Sequence, residues 1–464
     1  MAMYTTHPVS ALPTAPARET TGHLLLRGWC VLLLVLALGG VGLVVAVGPV
    51  ITAGVAIVSA LVSAVIWAVT RPPLAVRRLP WLAFGYLAWA TASIAWSAWP
   101  LASVVTWLLL IITTFQGLFI GAVLTWRDVV RAVASAAKWI VGLSLAFELA
   151  VAVFVRGPLL PGFVVPAPGD APATPWSSGT LFSGGRIQGL LGNSDLLAAV
   201  MLVAVIVFGI RLAVGAPRRV LLVVWIAVAA FLFVRAESIT AWIAAAFVAL
   251  VLGTVLVMRT ARRPGERTRW YLLYALIGLG GGATLWVNRP ALFDLLGRGA
   301  DLTGRDSIWA DVVARADQHP LAGWGFSTPW IPTEPLIDRW ILEDGQTVIQ
   351  AHSMWLDAYL QLGGIGVALL ALVYLAYLWR SWFFAVDRPR WDLRDDRPHS
   401  PLTLLPTLLG ALLVVQGLTD SGPLLLWGWM FVILFGAKIK QTPLVGVGPS
   451  EQSISIERGE LPRG

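Results

Sequence analysis

Apolar residues fall along this chain in long unbroken runs, separated by short polar segments. A run of roughly 17–25 apolar residues crosses the hydrocarbon core of a bilayer as a helix. Such runs lie at about 29–47, 50–69, 79–96, 101–124, 138–155, 195–212, 220–234, 238–258, 270–288, 353–379, 402–418 and 423–437. They do not alternate apolar and polar positions as membrane strands do. Backbone in lipid must satisfy its own polar groups, which points to helices throughout. The fold class expected is therefore an all-α polytopic membrane protein with about 12 transmembrane helices and a long extracytoplasmic loop between helices 9 and 10. Only Gly48 and Pro49 separate the first two runs.

This pattern divides the chain into an N-terminal tail (1–28), helices 1–9 (29–288) with an outer loop at about 156–194, and a large extracytoplasmic loop (289–352). Helices 10–12 (353–437) and a C-terminal tail (438–464) follow. The first run lacks a small-residue cleavage site, so a retained helix is expected rather than a removed signal peptide. In the second loop, Ile308, Trp309, Val312, Val313 and Ala316 recur at helical spacing, and Thr303-Gly304-Arg305-Asp306 reads as the start of that helix.

Composition agrees: 58% of residues are hydrophobic and 12% charged, which excludes a string of ordinary soluble domains. The formal charge of +8 would suit a nucleic-acid partner, but the basic residues sit in short loops between apolar runs. They set topology instead, and no nucleic-acid partner is expected. With the N-terminus cytoplasmic, 25 of the 33 basic residues fall inside and 8 outside, and inverting the chain would break the positive-inside rule at nearly every short loop. Both termini are thus expected in the cytoplasm. The single cysteine, Cys30, permits no disulfide within the chain.

The inside loops carry no phosphate-cradling glycine loop. Polar residues able to do chemistry gather on the outside instead: Gly185-Arg186-Ile187-Gln188-Gly189-Leu190-Leu191-Gly192-Asn193-Ser194-Asp195, then Gly304-Arg305-Asp306-Ser307-Ile308-Trp309. Next come His319-Pro320-Leu321-Ala322-Gly323-Trp324-Gly325, and His352-Ser353 followed after nine residues by Gly363-Gly364-Ile365-Gly366.

In these motifs the chain resembles the O-antigen ligase and O-antigen polymerase superfamily of lipid-linked glycan transferases. The resemblance covers the span architecture broadly, and its motifs run from about Arg186 to Gly366. The His-Ser, nine-residue, Gly-x-x-Gly spacing is its most specific part, and it does not separate ligase from polymerase. Two positions depart from the family pattern: Asp195 stands where a second Asn is common, and Ile239 stands where Ser238-Ile239-Thr240-Ala241 would often carry Arg.

The resemblance implies transfer of a glycan from a polyprenyl diphosphate donor, of the undecaprenyl type, to an acceptor hydroxyl of a glycan or glycolipid on the outer face, in assembly of a cell-envelope polysaccharide. Arg186 and Arg305 are the candidates for holding the diphosphate, because guanidinium groups bind such oxygens by bidentate, charge-assisted bonds. His352 is the candidate catalytic residue, able to take the acceptor's proton near neutral pH. The scheme needs no cofactor and no metal, and no acidic pair stands at metal-ligand spacing. His319, Trp309 and Trp324 are candidate substrate-binding residues, although His319 before Pro320 also suits a structural turn. Gly363, Gly364 and Gly366 are expected to permit close helix packing.

Each choice has a plainer reading: Arg186 as an interface marker, Arg305 as a partner of Asp301 or Asp306, and His352 as a helix cap. Glu148, placed within the fifth run, is expected to be paired or functional, since a carboxylate in lipid is costly. It would be the first suspect in the competing reading, a transporter or flippase of lipid-linked glycans. Asp357 lies about 140° around its helix from His352, which argues against a simple dyad. Asp420 is a weaker site candidate. A non-catalytic scaffold would need none of these residues together.

Overall fold

The computed structural model describes residues 21–72, 74–162, 174–261, 265–288, 305–343, 346–387 and 399–441. Both tails beyond these limits, the Thr303-Gly304 helix start, Asp301 and the arginines at 388–397 lie outside the described residues.

The chain is a polytopic, all-helical membrane protein. Its long helices are α1 (Thr21–Leu38), α2 (Gly40–Val47), α3 (Pro49–Thr70), α4 (Trp81–Ala92), α5 (Pro100–Val123), α6 (Trp126–Ala150) and α7 (Ser194–Ala213). Then come α8 (Arg219–Arg235), α9 (Ile239–Thr260), α10 (Glu266–Val287), α11 (Arg305–Ala316), α12 (Met354–Val386), α13 (Leu405–Thr419) and α14 (Leu426–Gln441). Among the described residues, 8 helices are long and apolar enough to cross a membrane. Every one of the predicted runs is helical, but α4, with 12 residues, and α14, with 16, are shorter than a full span, and α13 reaches that length only together with the preceding helical turn Pro401–Leu404. Strand is confined, among the described residues, to the two-residue antiparallel pair of Leu342–Glu343 with Gln346–Thr347 and an isolated bridge from Leu159 to Ser177.

Two boundaries differ from the apolar pattern. The first run is broken, because α1 stops at Leu38 and α2 leads through Gly48, at φ 84°, into α3 with Pro49 in its first turn. Proline suits that position, where its missing N–H is not needed. The fifth helix starts twelve residues earlier than its apolar run. Thr125 caps it by accepting from the Asp128 N–H at 3.2 Å, and the buried face already includes Val129, Val130, Val133, Ala136 and Ala137. Arg127, Arg131 and Lys138 therefore belong to the helix, where Arg131 pairs with the buried Asp128 at 3.3 Å.

The main core packs α5 on α14, α7 on α8, α9 on α13, and α1 on α6. A second, smaller core lies under the loop preceding α12. There Ile308, Val312 and Ala316 of α11 meet Trp99, Trp330, Ile337, Val348 and Leu360. The helical spacing of α11 thus has a physical cause: its apolar face closes this small core. Trp99 is 1% exposed, with its indole donating to the Gly325 carbonyl at 3.0 Å. It is a core residue.

Candidate active site

The helix α12 is kinked. Gly363 adopts φ 63° and ψ −168°, breaking the helix directly after its first segment, Met354–Leu362. A Cβ there would lie 2.3 Å from the carbonyl group of Leu321, so only glycine fits. The opposing backbone is the His-Pro-Leu-x-Gly-x-Gly turn. The N–H groups of Trp324 and Gly325 donate to the carbonyls of Leu360 and Gln361, each at 2.9 Å, and Gly364 N–H donates to Pro320 at 2.7 Å. A Cβ on Gly323 would likewise strike the Gln361 carbonyl carbon at 2.3 Å. The two glycine motifs are halves of one joint, in which the turn takes up the helix carbonyls that the kink leaves free. The packing at Gly363 and Gly364 is thus against a loop backbone, while a Cβ on Gly366 would meet Leu362 of the same helix.

That joint seats the segment carrying His352. The preceding residue, Ala351, is held from both sides: its N–H donates to Asp357 Oδ1 at 3.2 Å, and its carbonyl accepts from the Trp309 indole at 2.9 Å. His352 itself has φ 51°, a left-handed conformation uncommon for a side-chain-bearing residue and often found at functional positions. Its Nδ1 stands 3.3 Å from the Gln350 amide nitrogen. Asp357 is buried, and its Oδ2 faces the side chains of Ser421 and Trp330 without closing a hydrogen bond among the described residues.

Arg186 is positioned by a different device. Glu148 is fully buried near the end of α6, just before a π-helical turn over Val151–Val155. Its carboxylate accepts from Ser177 Oγ at 2.9 Å and from the N–H groups of Gln188 and Gly189 at 3.1 and 2.6 Å. The charge is thus consumed in anchoring the loop that holds Arg186. Arg235 ties the same loop, donating to the carbonyls of Thr180 and Leu181.

These supports converge on one small pocket that is partly open to its surroundings. It is bounded by Asn193 and Asp195 at the head of α7, Thr240 of α9, Arg305 at the start of α11, Gln350 and His352 before α12, and Gln416, Thr419 and Asp420 at the end of α13. Asp195 Oδ1 accepts from Arg186 Nη2 at 2.9 Å, and its Oδ2 lies 4.0 Å from Arg305 Nη2. Arg305 Nη1 also donates to the Thr419 carbonyl at 2.9 Å. Arg305 and His352 therefore share a pocket, and Arg186 joins it through Asp195. The first turns of α7 and α9 contribute Asp195 and Thr240 to the lining, and His352 immediately precedes the start of α12. Burial raises the Asp420 carboxyl above its ordinary range, the Gly422 N–H opposes this, and the nearby Asp195 charge adds to it.

His319, Trp309 and Trp324 do not line this pocket. His319 is exposed, edge-on to Trp324 at 4.3 Å, and the Trp324 indole donates to the Arg315 carbonyl at 2.9 Å. Trp309 acts on the site through Ala351. Thr240, Gln350, Gln416 and Thr419 line the pocket and were not singled out in the sequence. A visible signal existed for Gln416, a polar residue inside an apolar run. Beside Ile239, which brings no cation, the Thr240 hydroxyl meets that of Thr419 at 3.2 Å. Among the described residues, no group of three His, Cys, Asp or Glu side chains is placed to hold a metal.

The model of the O-antigen ligase family matches residues 222–371, a stretch running from α8 through the kink of α12. The resemblance to the O-antigen ligase and O-antigen polymerase superfamily holds. The chain is also similar to the exopolysaccharide production protein ExoQ of Rhizobium meliloti (strain 1021), with 26% identity over 202 residues. That similarity covers 41% of this chain and 43% of the relative, so the chain spans less than half the length of the relative it matches. The family match contains Arg305, His352 and the glycine joint, while Arg186 and Asp195 lie before it.

Proposed function

We propose that this protein is a membrane glycosyltransferase, ligase- or polymerase-like, acting in polysaccharide assembly. It moves a glycan from a polyprenyl-diphosphate donor to an acceptor hydroxyl on the extracytoplasmic face of the cytoplasmic membrane, with both termini inside. The observation carrying this reading is the shared pocket of Arg305 and His352, with Arg186 joined to it through Asp195.

In this scheme His352 takes the proton of the acceptor hydroxyl as its oxygen bonds to the anomeric carbon. The bond from that carbon to the phosphate oxygen breaks, and its electron pair leaves with the diphosphate. Arg186 and Arg305 meet the charge that develops there, in a site where aligned donors act more strongly than in water. The two guanidinium groups supply the positive charge, so the scheme is metal-independent. The isoprenoid tail stays in lipid, and the donor enters laterally between helices.

The test is glycan transfer in vesicles supplied with a synthetic polyprenyl-diphosphate oligosaccharide, comparing wild type with His352→Ala and Arg305→Ala. Growing ladders that vanish in folded variants indicate a polymerase, and single additions to a separate acceptor indicate a ligase. Translocation of the lipid, with equal absence of transfer in wild type and variants, would replace this reading with a transporter.

A further inference from the structure

Among the described residues, Asp195 is the one acidic group paired with both arginines. One carboxylate oxygen lies 2.9 Å from Arg186 and the other 4.0 Å from Arg305, so it bridges two guanidinium groups that come from segments far apart in the chain. Two oxygens of a diphosphate would approach the same pair in the same manner. Asp195 is also accessible, with 32% of its side chain exposed, and it lines the pocket rather than lying beneath it.

We propose that Asp195 is a built-in competitor for the diphosphate: it holds Arg186 and Arg305 together in the empty site, yields them when a donor binds, and reclaims them to expel the product. This rests on reading the two arginines as the diphosphate site.

The reasoning is electrostatic. A carboxylate about 4 Å from an incoming anion opposes it, and the opposition is larger at a partly buried site than in water. A ligand able to engage both guanidinium groups overcomes it; a monophosphate, which would engage them less fully, is disfavoured. Transfer also changes the ligand's charge. The donor's sugar-bearing phosphate has one ester bond to the sugar and one anhydride bond to the next phosphate, and the released product carries a free terminal phosphate with roughly one more negative charge near neutral pH. The product would therefore grip two bare arginines more tightly than the donor does, and turnover would stall. A resident carboxylate weakens that grip. Asp420 lines the same pocket, so a second acidic side chain also faces the incoming anion.

The test uses the full chain in lipid nanodiscs, with pyrophosphate and orthophosphate as probes, in wild type, Asp195→Asn and Arg305→Ala. Asp195→Ser runs beside Asp195→Asn, so that a folding defect in one variant does not decide the result. The expected outcome is pyrophosphate binding about tenfold tighter in Asp195→Asn, as removal of one adjacent charge predicts. Preference for pyrophosphate over orthophosphate narrows, and both kcat and KM for the donor fall in the transfer assay. A residue that merely shaped the pocket would lower kcat without tightening binding. Wild-type binding of pyrophosphate, with Asp195→Asn equal or weaker, overturns the competitor role and leaves the diphosphate site intact. Binding in wild type and Asp195→Asn no tighter than in Arg305→Ala overturns the diphosphate site and the competitor together.

Discussion

The indole of Trp309 donates to the carbonyl of Ala351 at 2.9 Å, so a residue of helix α11 fixes the backbone one position before His352. The opposite side of the same residue is fixed by Asp357. This arrangement separates two jobs that lie close together in the sequence: His352 faces the pocket, and its neighbours hold it in a left-handed conformation.

His352→Ala is expected to lower kcat about 10²–10⁴-fold, the usual worth of a positioned proton acceptor. Donor binding should change little. Steady-state transfer with a synthetic donor measures both quantities.

Asp357→Ala removes the acceptor of the Ala351 N–H and leaves that group buried, a loss of about 1–3 kcal/mol. Activity should fall through kcat, because His352 is misplaced rather than lost. Trp309→Phe should act in the same direction through the Ala351 carbonyl, and its pH profile should keep the wild-type shape. A profile of altered shape would argue for a direct proton role of these residues.

Gly363→Ala is expected to be among the most damaging single changes. A Cβ would fall 2.3 Å from the Leu321 carbonyl group, at a φ that alanine also resists. The turn should detach from α12, exposing residues 319–325 to limited proteolysis while the core helices remain folded by circular dichroism.

Glu148→Ala strands two backbone N–H groups and a hydroxyl that the carboxylate now accepts from. The loop carrying Arg186 should loosen, at a cost of about 3 kcal/mol or more. Protease sensitivity near residues 177–189, together with weaker binding of pyrophosphate, would register it.

Asp420 gives a pH dependence with a defined sign. Burial raises its carboxyl above the ordinary range, so the folded protein holds that proton more tightly than the unfolded chain does. Its contribution to stability is full below the unfolded value and is lost as pH rises through the raised folded value. Asp420→Asn should flatten that part of the thermal-stability curve in detergent, while an unchanged slope would assign the dependence to other groups.

Much of this protein follows from periodicity. Long apolar runs give helices because lipid leaves the backbone no other partner, and the α11 face was visible because a buried stripe repeats every 3.6 residues. The start of α6 was not visible, since its first turns mix arginines with small apolar residues that only the neighbouring helices bury. Arg186, Arg305 and His352 stood out by their motifs, but their common pocket did not. Helices, their apolar faces and the residue types suited to holding a diphosphate or taking a proton are all legible in the order of residues. That Asp195 bridges Arg186 and Arg305, that Glu148 is an anchor, and that the turn around Gly323 and the kink at Gly363 are one joint come from the packed fold alone. These are contacts between residues far apart in the chain, and a local pattern records what each segment buries without recording which segment buries it.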